Sequence, residues 1–162
     1  MRWGLAGCLL LVGACVAEPS PPADDDVTCD DSTLMVPADQ TINGSIDATG
    51  CVVKITGVVN GSVNATGGVV HIIAAEAVNG EIIIDGAGEV VIFDSQLNGG
   101  IDVEQSTSVT VENSRFNGEG QFIDDGSLTV TDSSFNGSLV ITDPTSCKEG
   151  SNQATALSLD GC

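Results

Sequence analysis

The chain has 162 residues, of which 23 are acidic and four are lysine or arginine, and its formal net charge is −19. That length suffices for one domain. Because nucleic-acid binding depends on clusters of lysine and arginine, this charge excludes a nucleic-acid partner, and it disfavours adsorption of the protein surface to anionic lipid.

Residues 1–14 have the features of an export signal. A single cation, Arg2, precedes an apolar run that is too short for a membrane-spanning helix, which needs about 20 residues. Val-Gly-Ala-Cys at residues 12–15 resembles a bacterial lipobox, whose cysteine becomes the lipidated first residue of the mature protein. Cys8 ends a similar motif but has almost no apolar segment before it. We therefore predict a signal peptide over 1–14 and a diacylated Cys15, an ordinary cleaved signal being the alternative.

Residues 15–38 are predicted to carry the lipid and to act as a linker. The stretch at 16–26 is rich in proline and aspartate and has little to bury, which is typical of a tether. Valine rather than aspartate follows Cys15, as in lipoproteins sorted to the outer membrane. We expect lipid anchoring at the outer membrane of a bacterial envelope, on its periplasmic or its outer face. Removal of residues 1–14 takes away only Arg2, so the formal charge moves from −19 to −20.

An internal repeat predicts the fold of residues 39–143. Asn-Gly recurs six times with spacings of 17, 19, 19, 19 and 19 residues, each copy preceded by a large apolar residue. A period of about 20 residues is typical of a solenoid. Within each repeat, aliphatic residues recur two positions apart, as in strands, and turn residues separate these groups. Three corners per repeat predict an all-β fold, a single-stranded right-handed parallel β-helix of about six coils.

The asparagines should form one corner of every coil. They are Asn43, Asn60, Asn79, Asn98, Asn117 and Asn136. We expect left-handed backbone angles at this corner, and side-chain amides that hydrogen-bond along the rod. The same counting places His71 at an inward position and Asp125 among the outward carboxylates.

The cysteines indicate disulfides at both ends of the repeat. Without Cys8 and Cys15, four remain, and an even number in an exported chain allows three pairings. We expect Cys29–Cys51 and Cys147–Cys162, because each bond would join a terminal segment to the nearest coil. Residues 144–162 have lost the repeat and are expected to fold back over the last coil as a cap.

Val-Val-Asn-Gly-Ser-Val-Asn-Ala at residues 58–65 and Ala-Val-Asn-Gly-Glu-Ile at 77–82 resemble the repeat of bactofilins. The resemblance covers residues 42–142 at most, and the later coils look more like generic right-handed β-helix repeats. Bactofilins are bacterial right-handed β-helices that assemble end to end into scaffolding filaments, so the resemblance implies that fold and a scaffolding role. The export signal would place such a role outside the cytoplasm. Since cysteine-linked segments would cover both open ends, we expect a monomer.

No nucleophile, base or cation cluster stands out, so the sequence predicts neither an enzyme nor a cofactor. Calcium is the one ligand left open, because outward carboxylates such as Asp102 and Glu119 would lie in neighbouring coils. We expect a non-enzymatic structural or interaction module that contacts envelope proteins or a cell-surface polymer. The alternative is a β-helix that binds calcium or polysaccharide.

Overall fold

The computed structural model describes residues 26–162, whose regular structure consists of parallel β-strands. The predicted fold class is confirmed: the strands stack as a solenoid of about seven turns, one more than expected, with coils of about 19 residues. The predicted signal peptide, Cys15 and most of the tether lie outside the described residues. Within residues 26–162, no helix is long and apolar enough to cross a membrane.

In chain order the strands are β1 (Val27–Asp30), β2 (Thr33–Val36), β3 (Thr41–Ile42), β4 (Ile46–Thr49), β5 (Val52–Ile55), β6 (Val58–Val59), β7 (Val63–Thr66), β8 (Val69–Ile73), β9 (Ala77–Val78), β10 (Ile82–Asp85), β11 (Glu89–Phe93), β12 (Gln96–Leu97), β13 (Ile101–Glu104), β14 (Ser108–Glu112), β15 (Arg115–Phe116), β16 (Gly120–Ile123), β17 (Ser127–Thr131), β18 (Ser134–Thr142), β19 (Ser146–Gly150) and β20 (Gln153–Asp160).

Each coil contributes strands to three faces of the rod. Face 1 stacks β1, β4, β7, β10, β13, β16 and the end of β18; face 2 stacks β2, β5, β8, β11, β14, β17 and β19. The short strands β3, β6, β9, β12 and β15 form face 3 and pair with the start of β18. The long strands β18 and β20 run on from face 3 to face 1, and they pair with each other on both.

Side chains alternate between the interior and solvent along the strands. In β10, Ile82 and Ile84 are buried whereas Ile83 and Asp85 are exposed. Because neighbouring strands pair in register, each buried residue lies over its equivalent in the next coil, as Ile82 lies over Ile101. The core is therefore a set of aliphatic columns, in which burial of one such side chain contributes about 1.5–3 kcal/mol.

Aromatic rings enter the core near its C-terminal end. The rings of Phe116 and Phe135 stack with centroids 4.7 Å apart and planes 7° from parallel. Gly120 occupies the column of Ile101, and a Cβ at Gly120 would lie 2.6 Å from the ring of Phe135. The repeat lacks an aliphatic side chain at residue 120 because Phe135 fills that space.

The corner asparagines form one continuous ladder along the rod. Each Nδ2 donates to Oδ1 of the equivalent asparagine one coil earlier, in five hydrogen bonds of 2.5–2.9 Å from Asn60 to Asn136. The 17-residue first spacing does not interrupt the ladder. Only two residues join β5 to β6, whereas four join β2 to β3, so the shortening falls in a corner and leaves the strands in register.

Glycine occupies the Asn-Gly corners because they have no room for a side chain, not because the backbone is left-handed there. The expected left-handed angle is wrong here, because neither the six asparagines nor the glycines after them have positive φ. A Cβ on Gly80 would instead lie 2.5 Å from the backbone of Gly61 in the coil before. Left-handed residues occupy the other two corners: Gly50 and Gly86 have φ of 66° between faces 1 and 2, and Asp94 has φ of 50° between faces 2 and 3.

A second ladder, of buried serines, lines the corner between faces 2 and 3. Ser95, Ser114 and Ser133 each donate a hydroxyl to the carbonyl two residues earlier, at 2.8–2.9 Å. The hydroxyl oxygen of each serine also accepts a hydrogen bond from the backbone N–H of the equivalent residue one coil earlier. At the end of the column, Asn152 Oδ1 accepts the N–H of Ser133 in the same way, and these four bonds measure 3.0–3.2 Å. These side chains satisfy backbone groups that the tight corner leaves unpaired inside the rod.

Both predicted disulfides are confirmed. Cys29 bonds to Cys51 and so links β1 to the corner between β4 and β5. At the other end, Cys147 lies in the inward column of Leu128 and bonds to Cys162. The two bonds close loops with sequence separations of 22 and 15 residues, a range in which a disulfide contributes about 3 kcal/mol.

The stack is longer than the predicted range of 39–143. Strands β1 and β2 form a first coil within residues 15–38, which were predicted to be linker. The expectation that 144–162 folds back as a cap is wrong, because β19 and β20 keep the parallel register with β17 and β18. This segment is the last coil of the rod.

We predict that Gly80→Ala destabilises the rod more than Gly86→Ala. The Cβ at residue 80 would press against backbone and force neighbouring coils apart, at a cost of about 3 kcal/mol. A Cβ at Gly86 would have no atom within 4 Å, so alanine there loses only the free energy needed to keep a left-handed backbone angle, about 1–2 kcal/mol. Thermal and denaturant unfolding of both variants measures the difference, and equal losses would contradict the assignment of missing space to Gly80 and of a left-handed backbone angle to Gly86.

Candidate functional site

Charge is distributed unevenly over the faces of the rod. The outward residues of the face 1 strands include six carboxylates and no cation within the described part of the chain; these are Asp30, Asp47, Asp85, Asp102, Glu104 and Asp160. The outward residues of face 2 include two lysines, Lys54 and Lys148, and two glutamates, Glu89 and Glu112, so their formal charges cancel. Face 1 is therefore the acidic surface and face 2 the neutral one.

Asp102 and Glu119, the sequence-based candidates for calcium, do not share a column. Asp102 lies on β13 between Ile83 and Gln121 of the neighbouring coils, so no carboxylate flanks it in its own column. Glu119 precedes β16 and packs by its side chain against Gly137. Among residues 26–162, no group of three or more histidine, cysteine, aspartate or glutamate side chains is arranged to hold a metal ion.

Asp125 was expected to face outward, and this is wrong. It lies one residue after the left-handed Asp124 and is only 1% exposed. Its Oδ1 accepts a 2.8 Å hydrogen bond from the N–H of Ser106. Its Oδ2 is one of two buried side-chain atoms without a hydrogen-bond partner among the described residues, the other being Oδ1 of Asp102.

The surroundings of Asp125 favour its neutral form. Burial, opposed by the hydrogen bond from the N–H of Ser106 and assisted by the negative charges of Asp124, Glu104 and Asp102, raises the pKa of this carboxyl from 3.8 to about 6. A protonated carboxyl at this point keeps the bond from Ser106 and removes the cost of a buried charge. Asp125 is thus a carboxyl that titrates near neutral pH inside the rod.

His71 also faces outward, contrary to the inward position expected from the sequence. Its side chain is 26% exposed, and Nε2 lies 3.0 Å from Oε2 of Glu89. The inward residues of this strand are Val70 and Ile72. Only two residues join β7 to β8, whereas three join β10 to β11, and this one-residue difference exchanges the inward and outward positions.

Comparison with known proteins yields no relative: no family model, no curated protein and no solved structure matches the chain.

The sequence contained a signal for Asp125 that counting from the asparagines missed. Asp125 takes the corner position that Ala87 and Ser106 occupy in the two preceding coils, and both of these are buried. Small residues that recur at one repeat position indicate a tight interior site. A carboxylate that follows them in that column is therefore a buried group.

We predict that Asp125→Asn removes a pH-dependent loss of stability. The folded-state pKa of about 6 exceeds the unfolded value, so the stability that this group contributes is complete below about pH 4 and is lost as pH rises through 6. The variant should therefore melt at a higher temperature than wild type at pH 7.5, and the difference should shrink towards pH 4. Melting curves across this range measure it, with the exposed Asp85→Asn as control. A difference that does not vary with pH would contradict the assignment.

Proposed function

We propose that the protein is a lipid-anchored envelope lipoprotein in which a rigid, acidic rod acts as a non-enzymatic structural or interaction module. The observation that carries this proposal is the unbroken stack of coils with a disulfide at each end. Three sets of side chains hold that stack in register, namely the buried columns, the asparagine ladder and the serine ladder.

The position of the tether supports an upright rod. The lipid on Cys15 would join the folded domain at its first coil, where β1 and β2 are edge strands of their sheets. About seven coils at about 4.8 Å each give a rod roughly 34 Å long. The carboxylates of face 1 would be repelled by anionic headgroups, which disfavours contact of that face with the membrane. The faces would then be presented to neighbouring envelope components.

The last coil supports a monomeric rod. Glu149 occupies the inward column of Val130, where its carboxylate accepts a 3.0 Å hydrogen bond from the amide of Asn152. A further coil from another molecule would have to bury this charge, and inward charges are one way in which natural sheets prevent edge-to-edge association. The bond between Cys147 and Cys162 fixes the chain end beside the same opening.

We predict that the mature protein begins with a diacylated Cys15. Mass spectrometry of the N-terminal peptide tests this, and Cys15→Ser should move the protein from the membrane fraction to the soluble fraction. Cys8→Ser is the matched control and should change neither the mass of the mature N-terminus nor the fractionation. Cleavage at another position, or an unmodified Cys15, would contradict the anchor.

We predict that the oxidised chain sediments as a monomer and that Glu149→Val promotes end-to-end association. Valine would extend the apolar column of Val130 to the open end of the rod and remove the buried-charge penalty. Analytical ultracentrifugation and electron microscopy measure the change, with the exposed Glu104→Val on face 1 as control. Filaments of the wild-type protein, or equal behaviour of the two variants, would contradict the proposed role of Glu149.

A further inference from the structure

The first coils of face 2 expose an apolar groove of about 240 Å³. We call this surface the docking groove. Its lining includes Met35, Pro37, Lys54, His71 and Ile73. Its apolar surface continues to Phe93, which lies in register with Ile73 one coil further along.

We infer that the docking groove binds a partner protein that presents an aliphatic side chain next to a carboxylate. The inference rests on the proposed role as an interaction module, and it names the surface that would perform it. The apolar exposure, the unpaired Lys54 and the open shape of the groove each support one part of this description.

The exposed apolar side chains cluster at this groove. Met35 is 62% exposed, Ile73 39% and Phe93 43%, and they are three of the five large hydrophobic side chains that residues 26–162 expose. The same columns further along face 2 carry hydroxyls and charges: Glu112 and Thr131 follow Phe93 in register. The change from apolar to polar along a single face marks a bounded surface that a partner could cover.

The positive charge of Lys54 favours a partner that presents a carboxylate. It lies between Met35 and His71 in its column, so neither neighbour in register is acidic. The only salt bridge in residues 26–162 joins His71 to Glu89, which leaves Lys54 without a carboxylate partner there. In a chain of formal charge −19, an unpaired lysine beside exposed apolar side chains is complementary to an acidic and aliphatic surface.

The shape of the groove favours a protein over a small amphiphile. Sites for small ligands have volumes of about 300–1,000 Å³ and enclose about 70–90% of the ligand surface. This groove is smaller, about 240 Å³, and is partly open to solvent, since Met35 and Ile73 in its wall are exposed. An acyl chain here would keep one side in water. A folded partner would cover the groove with the rest of its own surface.

The expected affinity is low. Strands of five residues span about 16 Å, and four stacked strands add about 15 Å in the other direction, which gives a patch well below the roughly 800 Å² per partner of a stable interface. An isolated segment that carries the partner chemistry should therefore bind with a Kd of about 0.1–1 mM.

The test uses the oxidised, ¹⁵N-labelled full chain and the peptide acetyl-Gly-Leu-Glu-Leu-Glu-Gly-amide as probe. We expect shift changes in NMR spectra that concentrate at Met35, Lys54 and Ile73. Lys54→Met should weaken binding about fivefold, as loss of one exposed ion pair predicts, and should leave a glutamine version of the peptide unaffected. Ile73→Thr and Phe93→Thr should weaken both peptides.

The chain offers matched controls. Lys148 lies in the same column as Lys54 but among hydroxyl-bearing neighbours, so Lys148→Met should leave binding of the glutamate peptide unchanged. Ile83 is 43% exposed on face 1, and Ile83→Thr should likewise have no effect. Equal effects of Lys148→Met and Lys54→Met would overturn the proposal, because binding would then follow net charge alone.

Other occupants of the groove would give different results. If decanoate shifts the groove resonances and the peptide does not, the site is for an acyl chain and the proposal is overturned. Shifts at the groove that depend on protein concentration without peptide would assign it to a second copy of the chain, and also overturn it. If no probe binds although Cys15 is acylated, the docking groove is refuted while the envelope module stands.

Discussion

The structure depends on one constraint, the stacking of each coil in register on the coil before it. Adjacent strands lie about 4.8 Å apart, so every side chain sits against its equivalents in the neighbouring coils. Apolar residues at inward positions then merge into continuous columns, and polar residues at corners merge into ladders such as the asparagine and serine ladders. The same stacking explains why Gly80 has no room for a side chain: backbone of the previous coil occupies that space.

Register also determines the chemistry of the surface, because a charge meets only the residues of its own and adjacent columns. Asp102 and Glu119 are close in the sequence repeat, yet they fall in different columns and form no joint site. Lys54 remains unpaired in a strongly acidic chain because Met35 and His71 flank it. An acidic rod can thereby carry one neutral, partly apolar face on which a partner could dock.

The sequence predicted those features that repeat or that lie close along the chain. The solenoid followed from the asparagine period, and the disulfide pairing from the position of the cysteines at the two ends. The first coil was missed because β1 and β2 follow an acidic, proline-rich stretch and precede the first Asn-Gly. The last was missed because Thr155 takes the place of the next asparagine, where its hydroxyl bonds to the carbonyl of Asn136. His71 was misplaced because corner lengths vary, and a shift of one residue reverses every side chain of a strand. Asp125 was misplaced because it lies in a corner, where the alternation of a strand does not predict which residue faces inward.

Residues 26–162 form one rod with a single register from the first coil to the last. Spin labels at Asp30 and Thr142 test it directly, since both are on face 1 and lie in one column, six coil steps apart. Labels introduced through a non-canonical amino acid would leave the native cysteines paired. A single register gives a narrow distance distribution centred at about 29 Å, six steps of about 4.8 Å. A broad distribution, or a much shorter distance from coils that fold back on one another, would contradict it.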